Sequence, residues 1–293
     1  MRTVLFPGQG AQFKGMGKEL FPLYPQLTRA ASDILGYSVE NLCLEDPGNQ
    51  LRYTQYTQPA LYVVNAFTYM KKRREGMPDV QADYFAGHSL GEYNALLAAE
   101  VFGFETGLRL VKKRGELMGK ASGGSMAAVI GVDDRKVRQV LDENGLQEVD
   151  LANYNTPAQT VISGKADAVD RAEKVFRNVN IRCVVLNVTA PFHSRYMRPA
   201  QQEFAEFIKQ FRFFPPKTSV ISNVSARPHD GEIQESLVSQ ITSPVRWSDS
   251  IRYLLSQGDM QFTEIGSSIL TNMVNENSRS RYAEFAAGRS ATN

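Results

Sequence analysis

Apolar residues along this chain fall in strand-length blocks and helix-period stretches, divided by turns that carry glycine or proline. The first block, Thr3 to Phe6, predicts a short strand ending at Pro7-Gly8-Gln9-Gly10. Helical patterns are expected at about residues 16–34 and 58–75, the second carrying Leu61, Val63, Val64, Ala66 and Phe67. Tyr84-Phe85-Ala86 predicts a second strand that runs directly into Gly87-His88-Ser89-Leu90-Gly91. Two helices should follow, at about 91–100 and 105–120, on either side of Val101-Phe102-Gly103-Phe104.

The pattern then changes. Ser125 to Val132 predicts a strand and Asp133 to Asn144 an amphipathic helix. Val149–Asn153 and Gln159–Ser163 predict paired strands around a turn at Asn155-Thr156-Pro157, followed by a helix at 166–178 and a strand at Arg182–Val188. This β-α-β-β-α-β order is that of a ferredoxin-like unit. After it come a strand at Ser219–Ser222, a helix near 247–257 and a strand at Gln261–Ile265. The expected fold is α/β: a hydrolase-like core with a parallel sheet, formed by 1–124 and 189–293, plus an inserted ferredoxin-like α+β subdomain at 125–188.

Composition narrows the function classes. With 33 basic and 31 acidic side chains, the net charge is only +2, and no basic stripe points to nucleic acid. Cys43 and Cys183 stand alone, without metal-ligand or disulfide spacing, which fits a cytoplasmic compartment. The apolar stretch at Met1–Pro7 is too short for a signal peptide, and no run reaches the roughly 20 residues a membrane helix needs. Two phosphate-cradle patterns also fail. A dinucleotide fingerprint starting at Gly8 would need glycine where Phe13 stands, and a P-loop ending at Gly17-Lys18 would need glycine at Gln12.

Gly87-His88-Ser89-Leu90-Gly91 fits the spacing of a nucleophile elbow, in which flanking glycines let a sharp strand-to-helix turn hold the serine at its tip. A bland alternative makes Ser89 the N-cap of a helix. A serine nucleophile needs a base, and the chain has three histidines. His88 is the serine's neighbour and would diverge from it; His229 lies in the polar turn Arg227–Gly231, expected at the surface. His193, after the strand at 182–188, is left by elimination. On the helix at 105–120, Leu110, Val111, Leu117 and Met118 make an apolar face with Arg114 in its middle. A guanidinium there requires an anion. The partner is open between an internal carboxylate, Glu92 being one candidate, and the carboxylate of a substrate.

These residues, together with Phe6–Gln12, Thr57-Gln58-Pro59-Ala60, Arg114–Met118, Asn155–Gln159, Pro191-Phe192-His193-Ser194 and Ser243–Trp247, stand in the order and spacing of a known family. Over nearly its whole length the chain resembles the malonyl-CoA:acyl carrier protein transacylases and the acyltransferase domains of polyketide synthases. The resemblance implies a Ser89–His193 dyad whose histidine is oriented by a backbone carbonyl within Gln240–Ser243. It implies an oxyanion hole from the Gln9 and Leu90 N–H groups, Arg114 on the malonyl carboxylate, and Gln58 and Asn155 lining the site. Phe192, before the histidine, fills space an α-methyl group would need and implies malonyl. Gly266-Ser267-Ser268 departs from the Gly-Pro-Gly of many relatives, outside the chemistry.

The implied substrate is malonyl-CoA, and the implied partner is an acidic, phosphopantetheinylated acyl carrier protein. No cofactor, metal, nucleic acid or membrane is implied. The tract Glu105–Met118 looks closer to the discrete, trans-acting polyketide type. A housekeeping fatty-acid transacylase and an acyl-carrier hydrolase on the same scaffold are the alternatives, and a docking module without turnover is the rival from outside enzymology.

Overall fold

The computed structural model describes residues 1–290, with side chains as far as Arg279. Two four-stranded sheets organise the chain. In the first, β1 (Arg2–Phe6) lies between β2 (Tyr84–Gly87) and β8 (Gln261–Glu264), and β7 (Ser219–Ile221) closes the far edge beside β2, every pair parallel. Val4, Leu5 and Phe6 are all buried, as expected of a parallel strand covered on both faces.

The long helices over this sheet are α3 (Thr54–Arg74) and α5 (Phe104–Lys120). They approach closely at Gly107, where a Cβ would meet the Tyr62 hydroxyl at 2.0 Å. That contact brings Gln58 and Arg114, one on each helix, to face each other beneath the strand ends. The stretch expected as one helix at 16–34 is instead a 3₁₀ turn at Phe21–Leu23 and a helix, α1 (Pro25–Leu35). Pro25 has no N–H to continue a helix, and it holds Tyr24 at φ −131°, ψ 53°.

The second sheet is built from β3 (Gly124–Ile130), β4 (Asp150–Thr156), β5 (Gln159–Lys165) and β6 (Arg182–Val185), with α6 (Asp134–Glu143) and α7 (Ala166–Asn178) in the crossovers. Its order β4-β5-β3-β6, with antiparallel neighbours, is the ferredoxin-like arrangement. The period-2 alternation of β3 divides its side chains between two cores. Ala127 and Val129 join Val137, Leu141, Val169 and Phe176 in a small core of their own, while Met126 and Ala128 face the main one. Two boundaries differ from expectation. β4 continues through Thr156, so the hairpin turn is only Pro157-Ala158. β6 stops at Val185, because the Val188 N–H turns back onto the Leu186 carbonyl at 2.8 Å.

Four further helices were not expected from the pattern: α2 (Val39–Glu45), α8 (Arg198–Ile208), α9 (Ile233–Gln240) and α11 (Ile269–Ser290). The remaining two, α4 (Gly91–Ala98) and α10 (Trp247–Ser256), match the expected positions. Among the described residues no helix is long and apolar enough to cross a membrane.

Candidate active site

The carboxyl ends of β1 and β2 carry the site. At the end of β2 the chain turns into α4 with Ser89 at φ 51°, a left-handed conformation that side-chain-bearing residues seldom adopt. The glycines around it are there for space. A Cβ on Gly87 would sit 2.0 Å from the Gly91 carbonyl carbon, and one on Gly91 would sit 1.9 Å from the Phe6 carbonyl oxygen. The turn is also propped from outside. The Asn223 carboxamide accepts from the Ser89 N–H and donates to the Gly87 carbonyl, both at 2.7 Å.

His193 reaches this serine across 104 positions of sequence, with 2.8 Å between Ser89 Oγ and His193 Nε2. Its Nδ1 lies 2.8 Å from the Gln240 carbonyl and 3.1 Å from that of Ser243. Carbonyls only accept, so Nδ1 carries the proton and Nε2 is left as the acceptor for the serine hydroxyl. The ring is buried. That burial, reinforced by the nearby Arg114 charge, pulls the imidazole down to about 3, against partial support from the carbonyl hydrogen bonds. At neutral pH the His193 imidazole is therefore uncharged, with Nε2 free to accept a proton.

Arg114 is 1% exposed. Its Nη1 donates to Gln58 Oε1 at 2.7 Å, and its Nη2 to Gln240 Oε1 at 2.8 Å and Ser89 Oγ at 3.0 Å. Burial lowers its pKa, with the Tyr93 and Glu92 charges opposing. The Tyr93 ring lies 5.6 Å from the guanidinium carbon, yet the Tyr93 hydroxyl and Arg114 Nε both lack a hydrogen bond of good geometry. Among the described residues no carboxylate lies within ion-pair distance of Arg114. Glu92, the internal candidate, binds elsewhere: one oxygen takes His229 Nε2 at 2.9 Å, the other Gln240 Nε2 at 2.5 Å and the Asn223 N–H at 3.3 Å.

The cleft around these groups has a volume of about 110 Å³ and is walled by Met118, Met126, Leu186, Val188 and Phe192. A larger groove, about 600 Å³, lies away from this chemistry beside Phe13 and Lys18. Gln9, Gln58 and Leu90 also line the smaller cleft. The Gln9 and Leu90 N–H groups have no acceptor among the described residues, whereas the Ser89 N–H is taken by Asn223. Thr54 ties Gln9 to Gln58 through hydrogen bonds of 2.8 and 2.9 Å.

Two expectations need correction. Asn155 does not line the cleft: it sits behind His88, 3.0 Å from its Nε2, and bonds Gln159 at 2.9 Å, while Asn153 takes the lining position. His229 is not at the surface, since its side chain is only 2% exposed. The polar turn around it folds back on β7, with its N–H on the Val220 carbonyl, and drives the imidazole inward. Asn223 and the Gln240 side chain were not anticipated. Each lies more than a hundred positions from its partners and carries no local signal.

A family model described as acyl transferase domain matches residues 3–289. The chain is 51% identical to a polyketide biosynthesis malonyl CoA-acyl carrier protein transacylase of Bacillus subtilis (strain 168), covering 94% of this chain and 96% of that protein. To a malonyl CoA-acyl carrier protein transacylase of the same strain it is 39% identical, covering 94% and 90%. The crystal structure of a malonyl CoA-acyl carrier protein transacylase from Burkholderia pseudomallei superposes with a TM-score of 0.92 at 49% identity, covering 95% and 98%.

Proposed function

The chain belongs to the acyl transferase domain family, and from that premise we propose that it moves a malonyl group from malonyl-CoA to the phosphopantetheine thiol of an acyl carrier protein. His193 Nε2 takes the Ser89 hydroxyl proton as Oγ attacks the thioester carbonyl. The Gln9 and Leu90 N–H groups receive the oxyanion, which is why two unpaired donors beside the serine matter. The C–S bond breaks, the proton passes from His193 to the departing sulfur, and free coenzyme A leaves a malonyl ester on Ser89. The carrier thiol then attacks that ester, giving its proton to His193, which returns it to Ser89 Oγ. The chain's own serine carries the acyl group, and the two half-reactions balance without a cofactor.

The observation that carries this function is Arg114: buried, without an ion pair among the described residues, and 3.0 Å from Ser89 Oγ. In malonyl the carboxylate stands one methylene from the reacting carbonyl, so only a short acid places its charge on this guanidinium while its carbonyl sits over Ser89. The cleft agrees in size. It is about 110 Å³, smaller than the groove beside Phe13 and Lys18, and has room for a short acyl group. Phe192, 9% exposed in the wall, opposes an α-methyl branch. Identity is higher to the polyketide transacylase than to the other transacylase of the same strain, 51% against 39%, which favours a polyketide carrier. A cytoplasmic location, where coenzyme A thioesters are made, follows from that assignment. Intact-protein mass spectrometry with malonyl-CoA tests it: one malonyl adduct should form, be absent in Ser89→Ala, and disappear when holo carrier protein is added. Release of free malonate in place of malonyl-carrier would make the chain a hydrolase.

A further inference from the structure

A buried guanidinium with neutral contacts raises the question of what makes it tolerable. Gln58, Gln240 and Ser89 touch Arg114, and all three are uncharged. The nearest anion on this network is Glu92, fully buried on α4. Between them stands one side chain. The Gln240 carboxamide gives its oxygen to Arg114 Nη2 and its nitrogen to Glu92 Oε2 and to the Ser89 carbonyl, at 2.8, 2.5 and 3.0 Å. The other Glu92 oxygen is held by His229 and cannot swing toward the guanidinium without breaking that 2.9 Å bond.

We infer that Glu92 is a remote counter-anion for Arg114 and Gln240 the spacer that keeps it one side chain away, so that the pair positions Arg114 and sets the preference for carboxyl-bearing acyl groups. A carboxylate in direct contact would occupy the guanidinium fork and compete with the substrate acid. No anion at all would leave the buried charge uncompensated. At one carboxamide's remove, Glu92 offsets the charge through space and leaves the fork available. His229 completes the arrangement by fixing the carboxylate from behind. The polar turn Arg227–Gly231 thereby acts on specificity without touching the substrate.

This assignment rests on Arg114 taking the acyl carboxylate, and a swap experiment separates the two. The double variant Glu92→Gln/Gln240→Glu keeps the same two side-chain shapes, one negative charge and a donor facing an acceptor between positions 92 and 240, but moves the anion into contact with Arg114 and gives up the bond to the Ser89 carbonyl. The Gln240 backbone carbonyl that holds His193 is retained. Acylation of Ser89 by malonyl-CoA and by acetyl-CoA would be followed by intact mass, with kcat and KM for each donor. The swap should lower malonyl kcat/KM by roughly ten- to hundred-fold more than acetyl kcat/KM, chiefly through KM, the loss of one charge-assisted contact, because any disturbance of the Ser89 turn falls on both donors alike. Equal losses for both donors would mean a merely structural network and overturn the inference. Should the swap not fold, Glu92→Gln alone must raise the malonyl-to-acetyl ratio, because the guanidinium loses the negative charge that offsets it through space and draws the substrate carboxylate more strongly; an unchanged ratio overturns it equally. Failure of the unmodified enzyme to form a malonyl-serine would instead strike the function itself, and the inference with it.

Discussion

The position of His193 on the pH axis gives the sharpest test of the site. An ordinary imidazole titrates at 6.5, whereas burial and the neighbouring Arg114 hold this one at about 3. The sign follows directly: the base works as the free imidazole, so rate is lost only as pH falls through the folded-state pKa. Between pH 7.5 and 5, a base at 6.5 would pass from mostly free to about 3% free, an acylation rate roughly 30-fold lower. A base at about 3 stays about 99% free over the same interval, and the rate should be flat. The malonyl carboxylate, with an ordinary carboxyl pKa near ~4, remains mostly ionised at pH 5 and contributes little slope. Rapid-quench measurement of malonyl-serine formation under single-turnover conditions, at subsaturating donor, reports the free enzyme's groups and avoids carrier release. A ten-fold or greater fall with an apparent pKa near 6.5 would refute the buried, Arg114-depressed base.

Four other outcomes follow from the same geometry. Arg114→Lys keeps charge but loses the fork that reaches Gln58 and Gln240 together, so malonyl kcat/KM should fall roughly ten- to hundred-fold. Arg114→Ala should go further and bring neutral acyl donors to parity, which competition between malonyl- and acetyl-CoA would measure. Gly91→Ala places a Cβ 1.9 Å from the Phe6 carbonyl oxygen, backbone that cannot yield cheaply, and should cost about 4 kcal/mol or more or abolish soluble protein in a thermal melt. Phe192→Ser should reduce discrimination against methylmalonyl-CoA by about 10- to 200-fold, the range one methyl group in an apolar pocket decides; unchanged discrimination would place the methyl's barrier elsewhere in the wall.

What could be read from sequence divides along a physical line. The strand-turn-helix around Ser89 was legible because its constraint is steric and local: two glycines two positions from the serine are required wherever such a bend meets backbone at contact distance. The β-α-β-β-α-β unit was legible because its period-2 and period-3.6 patterns alternate cleanly. The break before α1 was visible in Pro22 and Pro25 and was overridden by the apolar pattern on either side. Asn223, Gln240 and Glu92 are another matter. Each is a common polar residue whose partners lie 126–151 positions away, so its burial is decided only when β7, α9 and α4 converge. His229 shows the same limit: Arg227-Pro228-His229-Asp230-Gly231 has the composition of a solvated turn, and only the fold-back onto Val220 turns its imidazole inside.

The hydrogen-bond inventory around Ser89 leaves a single consistent assignment. Arg114 can only donate, so Ser89 Oγ accepts from it and must send its own proton to His193 Nε2. His193 can accept there because its other nitrogen donates to carbonyls, groups that orient a ring without bringing charge. An acid in that third position would stabilise the imidazolium but would also set a carboxylate beside a cation that has no ion pair. Around Arg114, then, every contacting group among the described residues is neutral, the groups that orient His193 are neutral, and the buried acid Glu92 is held off by Gln240. The cleft carries one positive charge in excess beside its nucleophile, and a short acyl group bearing one negative charge is what that excess selects.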